Sequence, residues 1–121
     1  MEMTKEERQD YNKLTKEQKD DFEYHSRKHP DWNFGQVMIK LEFEKKGDDF
    51  IGKGGNDVDA EDPDTWITIL EGAKQALKKF KSIGNAIFVA IDTAIISLKA
   101  LIKQGVRRIG DIIKNLKNKL F

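Results

Sequence analysis

Residues 63–105 read PDTWITILEGAKQALKKFKSIGNAIFVAIDTAIISLKALIKQG, and this stretch decides the fold class. Apolar or small residues recur in it at alternating steps of four and three, which is the spacing of helices that pack along a seam. A proline such as Pro63 is typical of the first residue of a helix. We therefore predict an all-α protein. We also predict that the large residues of the seam form an interface between copies of the chain: Trp66, Leu70, Leu77, Phe80, Ile87, Ile91, Leu98 and Leu101.

The seam has two weak points, at Ser82 to Asn85 and at Gln104-Gly105. At each of them a glycine lowers helix propensity by roughly 1 kcal/mol. Two arrangements follow from this. Either one long bent helix runs from Pro63 to Lys119, or two or three helices fold back on each other. A soluble monomer requires the fold-back, whereas an oligomer or a membrane-bound form can keep the helix straight.

Residues 83–102 are the most apolar part of the seam. As a helix they are about 30 Å long, which matches the apolar core of a bilayer. Their large apolar side chains favour insertion by roughly 3 to 6 kcal/mol, while Asp92 alone opposes it by about 3 kcal/mol and Lys99 by somewhat less. Because these contributions nearly cancel, we predict a central helix in a bundle or at a subunit interface rather than a lone transmembrane helix.

The end of the chain is basic and amphipathic. Three interpretations stay open: a helix that binds anionic lipid, one that follows the phosphates of nucleic acid without reading bases, or one that docks its apolar face on another helix and leaves the cations in solvent. We predict a basic surface formed by these side chains: Lys99, Lys103, Arg107, Arg108, Lys114 and Lys117.

Capping boxes mark the helix starts of the first half. In each box an N-cap residue and a Glu or Gln three positions later bond to each other's backbone, and this spacing occurs at Thr4, Thr15 and Asn33. The second box predicts a helix over residues 16–28, which ends before Pro30 because the residue preceding a proline avoids the helical region. The third predicts a helix from Phe34.

The helix that starts at Phe34 carries the clearest local signature. Trp32 and Val37 occupy the two positions of a hydrophobic staple, which fixes the angle at which the chain enters a helix. Residues 37–43 also alternate partly like a strand, but the cap, the staple and the lack of a second strand favour the helix. We predict that it runs to about Lys46 and is closed by Gly47. Residues 1–47 would then form an acidic helical hairpin.

Residues 48–62 are rich in glycine and acid, so we predict a flexible acidic linker between this hairpin and the apolar and basic helical region 63–121. The charge is unevenly distributed. Residues 1–62 carry 17 acidic and 11 basic side chains, a balance of −6, while residues 63–121 carry 4 acidic and 11 basic, a balance of +7. Such asymmetry indicates attraction between the halves or to an anionic partner, either nucleic acid or a membrane surface.

No catalytic constellation is visible in the sequence. The chain has no cysteine, which excludes disulfides and thiolate chemistry. His25 and His29 have the spacing of zinc ligands on one helix face, but a structural zinc site needs four ligands and we interpret the pair as surface or packing residues. We predict a protein that is not an enzyme and has no cofactor-binding or metal-binding residues.

The segment HPDWNFGQVM, residues 29–38, resembles a short helical motif of small proteins from gut-bacterial phages, crAss-like phages included. It covers about a tenth of the chain. The resemblance implies a virion or phage-assembly component, and it carries over no functional residues.

We therefore predict a structural or interaction protein, oligomeric and placed in a phage particle. The alternatives are a membrane-associating amphipathic protein and a non-specific nucleic-acid binder. The partners would be further copies or other structural proteins. The start of the chain is polar and resembles no signal peptide, so we expect synthesis in the cytoplasm.

Overall fold

The computed structural model describes residues 1–51, 63–106 and 109–121, with no side chains described for 46–51. Every regular element in these ranges is a helix, which confirms the all-α prediction. The helices are α1 (Lys5–Asn12), α2 (Lys16–Lys28), α3 (Phe34–Ile51), α4 (Pro63–Leu77), α5 (Asn85–Lys103) and α6 (Gly110–Leu120). The predicted linker lies outside the described residues from position 52 onward, and so do Arg107 and Arg108.

The first three helices begin where the capping boxes predict. In each box the N-cap side chain accepts a bond from the backbone N–H three residues on, and the Glu or Gln there accepts one from the N-cap backbone. The distances lie between 2.9 and 3.2 Å for Thr4 with Glu7, Thr15 with Gln18 and Asn33 with Gln36. These bonds satisfy backbone donors that a helix start leaves unpaired.

The sequence predicts a helix end at Gly47 and a weak point in a helix at Gly105, and the structure differs between the two glycines. Gly47 does not end α3, which continues to Ile51, so the predicted end at Gly47 is wrong. Gly105 does end α5, with a φ of +70°. Its N–H bonds to the carbonyl of Ile102 and that of Val106 to the carbonyl of Leu101, the pattern of a Schellman cap. Such caps usually place an apolar residue after the glycine, as Val106 is, whereas an aspartate follows Gly47.

The C-terminal half folds back twice, so the arrangement with separate helices is the one found. Helix α4 packs against α5, α5 packs against α6, and α3 packs against α4. The buried side chains form one core that draws on both halves of the chain, with Phe22, Phe34 and Met38 from the first half and Leu70 and Leu98 from the second.

Candidate interaction surface

The seam residues predicted as an interface lie inside one chain. Five of them are buried, and Phe80, Ile87 and Leu101 are half-buried against the same core. Because α4 and α5 fold back on each other, each covers the other's stripe. The buried five are Trp66, Leu70, Leu77, Ile91 and Leu98. This corrects the predicted surface, since these side chains leave no free stripe for a second copy.

A different face of α5 is exposed and apolar. It consists of Ala86, Val89, Thr93, Ile96 and Ala100, which we call the α5 crest. Val89 and Ile96 are 54% and 67% exposed, so more than half of the surface of each residue is open to solvent. The five positions follow the three- and four-residue steps of one helix face, over about 21 Å of helix. The crest contains no charged side chain.

The crest departs from the usual pattern of a surface helix. A helix at a protein surface normally turns polar side chains outward, and one that is apolar all round is normally buried. Helix α5 is apolar on its inner face and again along the crest. It is long and apolar enough to cross a membrane, the one such helix among the described residues, and only 22% of the qualifying window is buried. Exposed apolar faces are candidates for contact with a partner.

The polar group at the centre of the crest is already satisfied. The hydroxyl of Thr93 donates a hydrogen bond of 2.8 Å to the carbonyl oxygen of Val89, one turn earlier in the helix. The crest can therefore be covered by an apolar partner without leaving this hydroxyl donor unpaired, which would otherwise cost about 1 to 3 kcal/mol.

Two ion pairs border the crest on the side of α4. Lys74 Nζ lies 2.5 Å from Asp92 Oδ1, and Lys99 Nζ lies 3.8 Å from Glu71 Oε1. These four side chains line a groove between α4 and α5. Asp92 and Lys99 remain 45% and 59% exposed, so each can still meet a second partner of opposite charge.

The other border is a second groove, between α5 and α6. It is lined by small residues of α5, including Ala90 and Ser97, and by Ile112, Asn115 and Lys119 of α6. Cations therefore lie on both sides of the crest: Lys99 on the side of α4 and Lys119 on the side of α6.

Helix α6 docks its apolar face on helices of the same chain and leaves its lysines in solvent. This is the third of the arrangements considered for the basic end of the chain. The α6 residues Ile113, Leu116 and Leu120 are buried in the core, as is Ile109, which precedes the helix. Lys114 and Lys117 are exposed, as is Lys103 at the end of α5.

The predicted staple is only partly as expected. Val37 is fully buried, while Trp32 is half-buried and stacks between two other rings. Its ring centroid lies 3.7 Å from that of His29 and 4.9 Å from that of Phe121. The side-chain amide of Gln36 also donates to the carbonyl of Leu120, at 3.2 Å. The stacked rings and this hydrogen bond hold the end of α6 against the start of α3.

The two histidines have separate structural contacts. His25 is buried, with Nε2 at 3.0 Å from Glu44 Oε2, whereas His29 stacks on Trp32. Within the described ranges, no group of three or more His, Cys, Asp or Glu side chains could hold a metal ion.

The sequence did not reveal the role of Asp10. Its carboxylate is 1% exposed and accepts bonds from the backbone N–H of Lys81, at 3.3 Å, and from the N–H and hydroxyl of Ser82. Burial raises the pKa of Asp10. The hydrogen bonds from Ser82 and Lys81 together lower it by more, so the pKa lies below its ordinary value. Helix α1 thereby holds the turn between α4 and α5.

Comparisons with known proteins add no relative to this geometry: the chain matches no protein-family model, and no curated protein or solved structure is similar enough to count as a match.

Proposed function

We propose that this protein is a non-enzymatic structural protein that works as an assembly, with the α5 crest as its contact surface. The observation that carries the proposal is the exposure of Val89 and Ile96 on an uncharged stripe. Burying one large aliphatic side chain contributes about 1.5 to 3 kcal/mol, so a helix that leaves two of them in water gains from a partner that covers them.

The resemblance of residues 29–38 to a motif of small phage proteins indicates what kind of assembly this is. It implies a virion or phage-assembly component, in which many copies or several structural proteins pack together. A protein of that kind needs contact surfaces rather than a reaction centre. The crest supplies such a surface. Asp92 and Lys99 at its border are each in an ion pair within the chain but stay 45% and 59% exposed, so they supply polar contacts for the rim.

Sedimentation velocity of two matched variants tests the proposal. Ile96→Glu places a charge on the crest, while Asn118→Glu makes the same charge change at an exposed position of α6. We expect the parent chain and Asn118→Glu to sediment as the same oligomer and Ile96→Glu to sediment as a monomer with an unchanged helical circular dichroism spectrum. Identical sedimentation of the parent and both variants would overturn the role of the crest.

A second candidate function is attachment to an anionic membrane surface. It is favoured by the cations on both sides of the crest, because lysines that flank an exposed apolar face are typical of helices at the lipid interface. The same α5 crest makes a nucleic-acid contact less favoured, since its aliphatic side chains offer phosphates neither a positive charge nor a hydrogen-bond donor.

Vesicle flotation separates this candidate from self-assembly. If the membrane is the partner, the parent chain floats with vesicles of phosphatidylcholine and phosphatidylserine, Ile96→Glu stays at the bottom, and neither floats with phosphatidylcholine alone. Absence of the parent chain from the anionic vesicles would exclude this candidate and leave the proposal of self-assembly unaffected.

A further inference from the structure

We propose that the partner on the α5 crest is a second copy of this chain, packed with its own α5 antiparallel across a two-fold axis. In this arrangement Val89 faces the partner's Ala100, and Ile96 faces the partner's Thr93. The inference rests on the proposed function, in which the crest is the contact surface for self-assembly, and adds to it the two-fold symmetry, the register and the direction of the helices.

The sizes of the crest residues favour the antiparallel direction. Along the crest the large side chains of Val89 and Ile96 alternate with the smaller ones of Ala86, Thr93 and Ala100. In the antiparallel register each large side chain meets a smaller one. A parallel pair would instead stack Ile96 on its own copy and Ala100 on its own copy. That leaves crowding in one layer and a void in another, whereas interiors are packed evenly.

The charges at the border favour the same direction. When two such faces meet antiparallel about a two-fold axis in the plane of contact, the α4 side of one copy lies against the α4 side of the other. Asp92 then lies beside the partner's Lys99, and the reciprocal pair forms at the other end of the contact.

Each of these contacts would extend an existing ion pair. Glu71 pairs with Lys99 and Lys74 with Asp92 inside one chain. Joining Lys99 to the partner's Asp92 therefore makes a row of four side chains with alternating charge. A parallel pair would place the α4 side against the groove on the α6 side, whose lining contains Lys119 and no carboxylate, so that Lys99 would lack a partner of opposite charge there.

The middle of the contact has no unsatisfied polar side chain. Thr93 lies in the two central layers, and its hydroxyl already donates to Val89 within the helix. The ends of the crest are closed by Asn85 and Lys103, which are exposed and can stay in contact with water. A dry centre with a polar rim is the usual anatomy of a protein interface.

Directed disulfide formation tests the register, because the chain has no cysteine of its own. A Val89→Cys chain is mixed with an Ala100→Cys chain that carries a mass tag, and the mixture is oxidised gently. We expect a covalent dimer that contains one chain of each kind. A disulfide needs Cα atoms within about 7 Å, which only facing positions offer.

Ala100→Cys alone is the matched control. In the antiparallel register two cysteines at position 100 are about 16 Å apart along the axis and form no disulfide, whereas in a parallel pair they face each other. Cross-linking of Ala100→Cys with itself would overturn the inference, and so would a dimer that shows no cross-link between positions 89 and 100.

Sedimentation of the same reduced chains separates the two possible failures. A dimer without the expected cross-link contradicts only the antiparallel register and leaves the crest as a contact surface. A monomer at every concentration contradicts the proposed function itself. Unchanged thermal unfolding of both cysteine variants, whose positions are exposed, shows that the fold is intact in either case.

Discussion

The carboxylate of Asp10 accepts bonds from both the backbone N–H and the hydroxyl of Ser82, 72 positions further along the chain. Asp10 lies on the short first helix, and Ser82 lies in the turn that reverses the chain between α4 and α5. This contact joins the acidic first half of the chain, residues 1–62, to the basic second half, residues 63–121. It also fixes the turn from which the α5 crest begins.

Removing this carboxylate should destabilise the whole fold. Asp10→Ala leaves the donors of Ser82 and Lys81 without their charged acceptor, and bonds to a charged group contribute about 1.5 to 3 kcal/mol each. We expect a loss of about 3 kcal/mol in the free energy of unfolding, measured by urea denaturation. Glu6→Ala, at an exposed position of the same helix, should change it by less than about 0.5 kcal/mol. Equal losses for the two variants would contradict this role.

The same carboxylate predicts a pH dependence. Burial raises the pKa of Asp10 and the hydrogen bonds lower it more, so the folded-state pKa lies below the ordinary value of 3.8. The stabilisation is therefore fully present above that ordinary value and is lost as the pH falls through the folded-state pKa.

Urea denaturation of the parent chain and of Asp10→Asn across pH values checks this sign. The difference in unfolding free energy between the two should be constant from about pH 7 to about pH 5 and should shrink below about pH 4. A difference that grows on acidification would show that the carboxylate is held protonated in the fold.

The stack of Trp32 on Phe121 predicts an energetic coupling. Trp32→Ala removes a half-buried ring that touches two others, and we expect a loss of about 2 kcal/mol in unfolding free energy. Phe121→Ala should cost less, and the double variant less than the sum of the two. Aromatic pairs couple by about 0.5 to 1.5 kcal/mol in such a double-mutant cycle. Strict additivity would show that the rings do not stabilise each other.

Two glycines provide a matched pair of substitutions. Gly105→Ala places a side chain at a φ of +70° and should destabilise the chain by about 1 to 2 kcal/mol. Gly84→Ala, at a φ of −72° with no atom within 4 Å of the added carbon, should change the stability by less than about 0.5 kcal/mol. Thermal unfolding of both variants measures this. If Gly105→Ala unfolds at the same temperature as Gly84→Ala, the Schellman cap does not hold the end of α5.

Local patterns predicted the helices well because local bonds determine where helices begin. Thr4, Thr15 and Asn33 form their capping boxes with residues only three positions away. The end of α3 was harder to predict, because a glycine ends a helix only when the residues after it can complete the cap. Gly105 has Val106 behind it, while an aspartate follows Gly47.

The exposed α5 crest was harder to predict because its exposure depends on packing between distant segments. The periodicity from Trp66 to Leu101 correctly indicated buried residues, but it does not distinguish burial within one chain from burial between two. Val89 and Ile96 belong to the same apolar segment as the seam. They stay exposed only because α4 and α6 cover the other faces of α5, which no local pattern encodes.

The solution mass of the chain shows whether copies associate through the α5 crest. We expect light scattering at tens of micromolar protein, without detergent, to give twice the chain mass of 14.0 kDa, and dilution to return it to a single chain mass. A stable mass of one chain at every concentration would contradict the claim that the α5 crest joins copies of this protein.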